Sequence, residues 1–132
     1  MKKYVYPAIF TPEEKGMYSV NFPDLDGCFT SGEDLADAMF MAEDVLAYSL
    51  YDLERDKLPI PAPSGITDFT LSNGQFVNLI ACDTLEYQKM HNNRAVKKTL
   101  SIPEWMNEVA TSAGANFSQL LQDAIRREYN LT

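Results

Sequence analysis

Residues 96–129 constrain this chain more than any other stretch, because they spell a folded unit too small to close on itself. Val96-Lys97-Lys98-Thr99-Leu100-Ser101-Ile102 has the two-residue alternation of a strand. Pro103-Glu104-Trp105-Met106-Asn107-Glu108-Val109-Ala110 follows as an amphipathic helix, with proline in its tolerated place at the start. Gly114 marks a turn, and the run from Asn116 to Arg127 gives a second amphipathic helix. A unit of about 35 residues with one strand and two helices buries too little apolar surface to stand alone. A second copy would supply the missing cover, and two copies would pair their strands. A paired β-ribbon fits the DNA major groove.

Side chains alternate along a strand, so Lys97, Thr99 and Ser101 share one face. Leu100 and Ile102 take the other, where they meet Trp105, Val109, Phe117, Leu121 and Ile125 as the core of a dimer. Lys98 also falls on that inward side, its stem packing at the dimer edge while its ammonium reaches water. The alternating strand, Ile102-Pro103, Gly114 and Asn116-Phe117-Ser118 together resemble a ribbon-helix-helix DNA-binding domain, as in Arc-type and MetJ-type repressors. Lys98 departs from that pattern, in which an apolar residue is common. The resemblance implies that Lys97, Thr99 and Ser101 of both chains enter the major groove. Asn116 would cap the second helix and leave the amides of Phe117 and Ser118 to hold a phosphate. The plainer reading is an ordinary helical hairpin that packs on the rest of the protein.

Charge separates the chain into unlike halves. Residues 1–90 hold six Lys/Arg against fifteen Asp/Glu, a net of −9, whereas residues 91–132 hold five against four, a net of +1. An acidic body repels nucleic acid and attracts a basic partner. DNA affinity must then come from a few well-placed groups in a dimer. The start, Met1-Lys2-Lys3-Tyr4, is basic but lacks the apolar segment of a secretory signal, so a cytoplasmic location is expected. No apolar run approaches the ~20 residues that span a bilayer, so no membrane partner is expected. Cys28 and Cys82 lack a metal-binding spacing and read as small core residues.

The front half reads as strand, strand, strand, helix, strand. Tyr4-Val5-Tyr6-Pro7-Ala8-Ile9-Phe10 is β-branched and aromatic, with a proline that favours a sheet edge or bulge. Tyr18-Ser19-Val20-Asn21-Phe22 alternates and completes an antiparallel hairpin. The turn-rich Phe22-Pro23-Asp24-Leu25-Asp26-Gly27-Cys28 leads into a short strand, Cys28-Phe29-Thr30. Asp34 is placed to cap a helix, and Leu35, Ala38, Met39, Ala42, Val45, Leu46, Leu50 and Leu53 then recur at helical spacing. Residues 58–65 form a stiff proline-rich connector, and Phe76-Val77-Asn78-Leu79-Ile80-Ala81-Cys82 reads as a buried final strand. Residues 83–94, polar and without a hydrophobic period, read as a hinge. The domains are then 1–90 and 91–132, and the fold is α+β: one helix across a small sheet, followed by the helical tail.

Tyr6-Pro7-Ala8, Tyr18-Ser19-Val20, the Phe22–Cys28 run, Thr30-Ser31-Gly32-Glu33 and Pro63-Ser64 together resemble the HicB antitoxin family. The resemblance implies a shortened RNase H-like front domain that neutralises a small basic HicA-type toxin, an RNA-cleaving protein, by covering its active site. It also implies a tail that dimerises and binds the operator of its own operon, with higher assembly left open. Asp24, Asp26 and Glu33 are the first candidates for toxin contact. A stand-alone transcriptional regulator that senses a small ligand is the alternative, and a degenerate nuclease a third.

Catalysis is not expected. Asp24 and Asp26 could form a metal-binding carboxylate pair, but they lie in a turn, where Asp serves the backbone. No further carboxylates clearly converge on them. His91 stands alone in the polar hinge, and no glycine-rich phosphate loop occurs. No metal and no cofactor are expected.

Overall fold

Alternation along three of the front strands turns Tyr6, Ala8, Phe10, Val20, Ile80 and Cys82 to one face, and that face organises the first of two units. The structure is a computed structural model that describes residues 3–131. Met1, Lys2 and Thr132, and with them part of the basic start, lie outside the described residues. The chain divides after Arg94.

The first unit contains β1 (Lys3–Pro12), β2 (Tyr18–Asn21), β3 (Phe29–Gly32), α1 (Leu35–Arg55), β4 (Phe76–Asp83) and α2 (Thr84–His91). Its four strands form one antiparallel sheet in the order β3-β2-β1-β4. Tyr6, Ala8 and Phe10 of β1, Val20 of β2, and Ile80 and Cys82 of β4 are buried on one face. Helix α1 sets Ala38, Ala42, Leu46 and Leu50 against them, one residue per turn. Each large side chain fully buried there contributes roughly 1.5–3 kcal/mol. The small alanines let α1 approach closely. At Gly32 the approach is closest: an added Cβ would lie 2.3 Å from the Ala38 nitrogen.

Both ends of α1 are closed by local chemistry. Asp37 N–H donates to Asp34 Oδ1 at 2.8 Å, and Glu33 N–H donates to Asp37 Oδ2 at 2.9 Å. At the other end Lys57 takes a left-handed conformation, φ 55°. Lys57 and Leu58 N–H donate to the carbonyls of Glu54 and Leu53, so the last turn is satisfied.

β1 has a neighbour on each side, yet Pro7 lies on a local edge of the sheet. It is tolerated because β2 pairs only with Ile9 to Pro12, so at Pro7 the chain faces a strand on the β4 side alone. The expected hinge at 83–94 is largely helix. Asp83 ends β4 and caps α2, accepting from Leu85 N–H at 2.9 Å and Glu86 N–H at 3.3 Å. Thr84 is fully buried, and the Tyr87 ring lies 5.7 Å from Tyr51 and 6.3 Å from Tyr48 of α1. His91, read as a solvated hinge residue, stacks on Tyr87 at 4.2 Å. The first unit therefore runs to Arg94 and carries seven Lys/Arg against fifteen Asp/Glu, a net of −8. The second unit, with four of each, is neutral.

The second unit holds α3 (Glu104–Ser112) and α4 (Phe117–Glu128). Gly114, φ 75°, turns the chain between them, and Ala115 N–H returns to the Ala110 carbonyl at 3.0 Å. Residues 92–103 form no helix and pair with no strand among the described residues.

Candidate partner-binding surfaces

The Phe22–Cys28 turn is built inward. Phe22, Leu25 and Cys28 are buried, Gly27 supplies a left-handed φ of 69°, and Phe22 N–H closes the loop on the Cys28 carbonyl at 3.0 Å. Asp24 is engaged within the unit. Its two carboxylate oxygens accept from Ser64 N–H at 2.9 Å and Ser64 Oγ at 2.5 Å. Tyr6 adds a second tie, its hydroxyl donating to the Pro61 carbonyl. The proline-rich connector is thus latched to the turn. Asp26 is exposed in the same turn. Glu33 is exposed beyond the far end of β3 from that turn, so the three acidic candidates do not converge.

The solvent face of α1 offers a more continuous surface. Phe40 and Met41 stand three and four residues after Asp37, and Asp44 and Tyr48 continue at steps of three and four, so the five share one side of the helix. Phe40 is 76% exposed and Tyr48 51%. A large aromatic held in water by a rigid helix and flanked by carboxylates has the composition of an interface centre with an acidic rim. The sequence assigns Met39 to the core and does not say which of Met41, Tyr48 and Tyr51 faces outward. The structure packs Met39 on the core and leaves Met41 and Tyr48 outside. Phe40 was missed, although it stands out of the buried helical period that Ala38 and Ala42 define.

In the second unit the apolar residues are uncovered. Trp105 and Val109 are each 64% exposed, and Leu100, Ile102, Phe117, Leu121 and Ile125 are also exposed. Lys97, Thr99 and Ser101 lie in the segment without secondary structure, exposed to solvent. Asn116 Oδ1 accepts from Gln119 N–H at 3.0 Å, which caps α4 and leaves the first two amides of that helix, Phe117 and Ser118, outside the cap. Among the described residues no group of three or more His, Cys, Asp or Glu could hold a metal ion, and no helix is long and apolar enough to cross a membrane.

Fold and surfaces define a two-unit α+β protein with two separate uncovered apolar faces. The chain belongs to the HicB-like antitoxin family of bacterial toxin–antitoxin systems, whose family model matches residues 6–125. It is 33% identical over 105 residues to antitoxin HicB 1 of Photorhabdus laumondii, across 74% of this chain and 68% of that one. Its fold is similar to a chain of a toxin–antitoxin complex from Streptococcus pneumoniae, with a TM-score of 0.60, 29% identity, and coverage of 96% of this chain and 99% of that one. A HicA3 and HicB3 toxin–antitoxin complex gives a TM-score of 0.50 at 29% identity, over 61% of this chain and 99% of that one.

Proposed function

We propose that this antitoxin neutralises a basic HicA-type toxin by covering it with the first unit, and represses its own operon by binding operator DNA through a dimer of the second. The observation that carries the reading is that the chain leaves two uncovered apolar faces of unlike electrostatic character. One is rimmed by carboxylates on a unit of net −8. The other belongs to a neutral unit in which no described residue is buried. An acidic face suits a basic protein. A neutral two-helix unit with exposed Trp105, Val109 and Ile125 suits a second copy of itself, whose pairing would bring the two segments around Lys97, Thr99 and Ser101 together as a ribbon. The strand–strand–strand–helix–strand order of the first unit supports the shortened RNase H-like reading.

Two full-length variants test this. Phe40→Glu should abolish rescue of cells from the co-expressed toxin and leave operator binding intact. Alanine at Lys97, Thr99 and Ser101 together should do the reverse. If Phe40→Glu still rescues, the α1 face is not the toxin surface. If the triple variant keeps operator affinity, the tail is a dimerisation unit only.

A further inference from the structure

Asn73-Gly74 is the one asparagine–glycine pair in the chain. It forms the tip of the turn that leads from the connector into β4. Gln75 N–H donates to the Ser72 carbonyl at 3.1 Å, and Gly74 supplies the positive φ, 84°, of a type II turn. The Gly74 N–H takes no part in that closing bond, and no described group accepts from it. The Asn73 side chain is exposed and has no hydrogen-bond partner among the described residues. Around this bare tip the turn is fastened. Gln75 Oε1 accepts from Ser72 N–H at 2.8 Å, and Gln75 Nε2 donates to Thr11 Oγ1 of β1 at 2.9 Å. A Cβ added at Gly74 would lie 3.7 Å from Pro12 Cγ, so the tip stands against the end of β1.

We propose that Asn73 is a site of spontaneous deamidation, at which the first unit ages and loosens through one defined bond. The chemistry needs only water. As the Gly74 nitrogen gives up its proton to water or hydroxide, it attacks Cγ of Asn73. An N–Cγ bond forms, the Cγ–Nδ2 bond breaks, and ammonia leaves with a proton from solvent. Glycine, without a Cβ, puts nothing in the way of the cyclic imide that results. Water then opens the imide at either of its carbonyls. Opening at Cγ leaves aspartate. Opening at the main-chain carbonyl leaves isoaspartate, in which the chain runs through Cβ and Cγ and is longer by a methylene. Either product puts a carboxylate into residues 69–82, which carry no charge, on a unit of net −8. The longer backbone of isoaspartate also shifts Ser72 from Gln75, so the closing bond and the Gln75 side-chain ties lose their register. β4 is then loosened at its first pair, Phe76↔Phe10, whose rings stack at 5.1 Å.

Incubation of the full chain near neutral pH, followed by an ammonia assay and mapping of chymotryptic peptides, tests the proposal. The peptide holding Asn73 should gain the mass of an amide-to-acid exchange at least tenfold faster than any peptide holding another asparagine. Isoaspartyl methyltransferase should label that same peptide. Asn73 should react in the folded chain nearly as fast as in urea, because nothing in the turn covers it. Asn73→Gln, whose attack needs a larger ring, and Asn73→Ser, which has no amide to lose, should each remove the signal with an unchanged circular dichroism spectrum. Aged wild type should unfold at a lower urea concentration than fresh protein, whereas aged and fresh Asn73→Ser should unfold together. An Asn73 that survives in the folded chain while it reacts in urea overturns the proposal, since the turn then protects the bond. So does ammonia released as fast by Asn73→Ser, or a converted wild type whose urea midpoint does not move.

Discussion

Asp24 shows how one side chain can be legible in chemistry and misplaced in role. Its carboxylate is the hub of the Ser64 latch, so it holds the unit together before it can hold a partner. Asp24→Ala should destabilise the first unit by ~1–3 kcal/mol, the cost of leaving polar partners unsatisfied. Urea unfolding should show that loss, and a double-mutant cycle with Ser64→Ala should show coupling near 1 kcal/mol; additive effects would deny the latch. Buried titratable groups supply a second prediction. Burial, reinforced by the carboxylates of Glu43, Asp83 and Glu54, pushes the Cys82 thiol up to about 12 from an ordinary 9.0. Burial and the Glu54 hydrogen bond push the Tyr4 phenol up to about 12 from 10.0. Both groups stay protonated in the folded state while the unfolded chain releases its protons. Stability is therefore full below about pH 9 and falls as pH rises from 9 towards 12. The urea midpoint should drop across that window, and Cys82→Ala should flatten the drop even though it starts lower.

At the scale of elements, a period located most of what was legible, but the alternation of residues 96–102 forms no strand within a single chain. The strand around Val20 alternates, and α1 repeats every fourth residue from Ala38 to Leu50. β4 is located instead by its apolar run, and it is an edge strand with Leu79 and Ala81 exposed, not the buried strand that run suggests. Helix α2 was read as hinge because it contacts α1 through a polar aromatic, Tyr87, and has no apolar stripe. Its signal was at the cap, where Asp83 and Glu86 stand three residues apart in a helix-start spacing. The latch was not legible either, because Asp24 and Ser64 are forty residues apart and only the folded connector brings them together. Tyr87→Ala should loosen α2 and cost about 2 kcal/mol for a half-buried ring, measured by urea unfolding of the full chain. If α2 is a solvated linker, that variant unfolds at the wild-type midpoint. In the tail the two kinds of candidate should fail differently. Thr99→Ala should relax base preference at particular operator positions by roughly 1–3 kcal/mol. Asn116→Ala, which frays the start of α4, should weaken binding to all sequences alike. A binding matrix of both variants against single-base operator changes reads the difference, and matching profiles would contradict the division of roles.

For the whole molecule, segregation of charge is the property no single residue explains. The net −8 of the first unit creates a field that reaches past its own surface, and the neutral second unit does not cancel it. Under the proposed function such a field would draw a basic toxin in and hold DNA off, so the two should answer oppositely to salt during encounter. Screening acts over ~10 Å at 0.1 M ionic strength. Toxin association should therefore slow at least tenfold between about 0.02 and 0.5 M salt, because steering is lost, while dissociation changes little if the apolar centre around Phe40 and Tyr48 holds the complex. Charge reversal at Asp37 and Asp44 together should reproduce the slow association at low salt. Truncating Phe40 to alanine should speed dissociation instead. Stopped-flow association rates and dissociation after dilution separate the two contributions. Association rates that stay flat across the salt series would show that the acidic character of the first unit serves something other than partner capture.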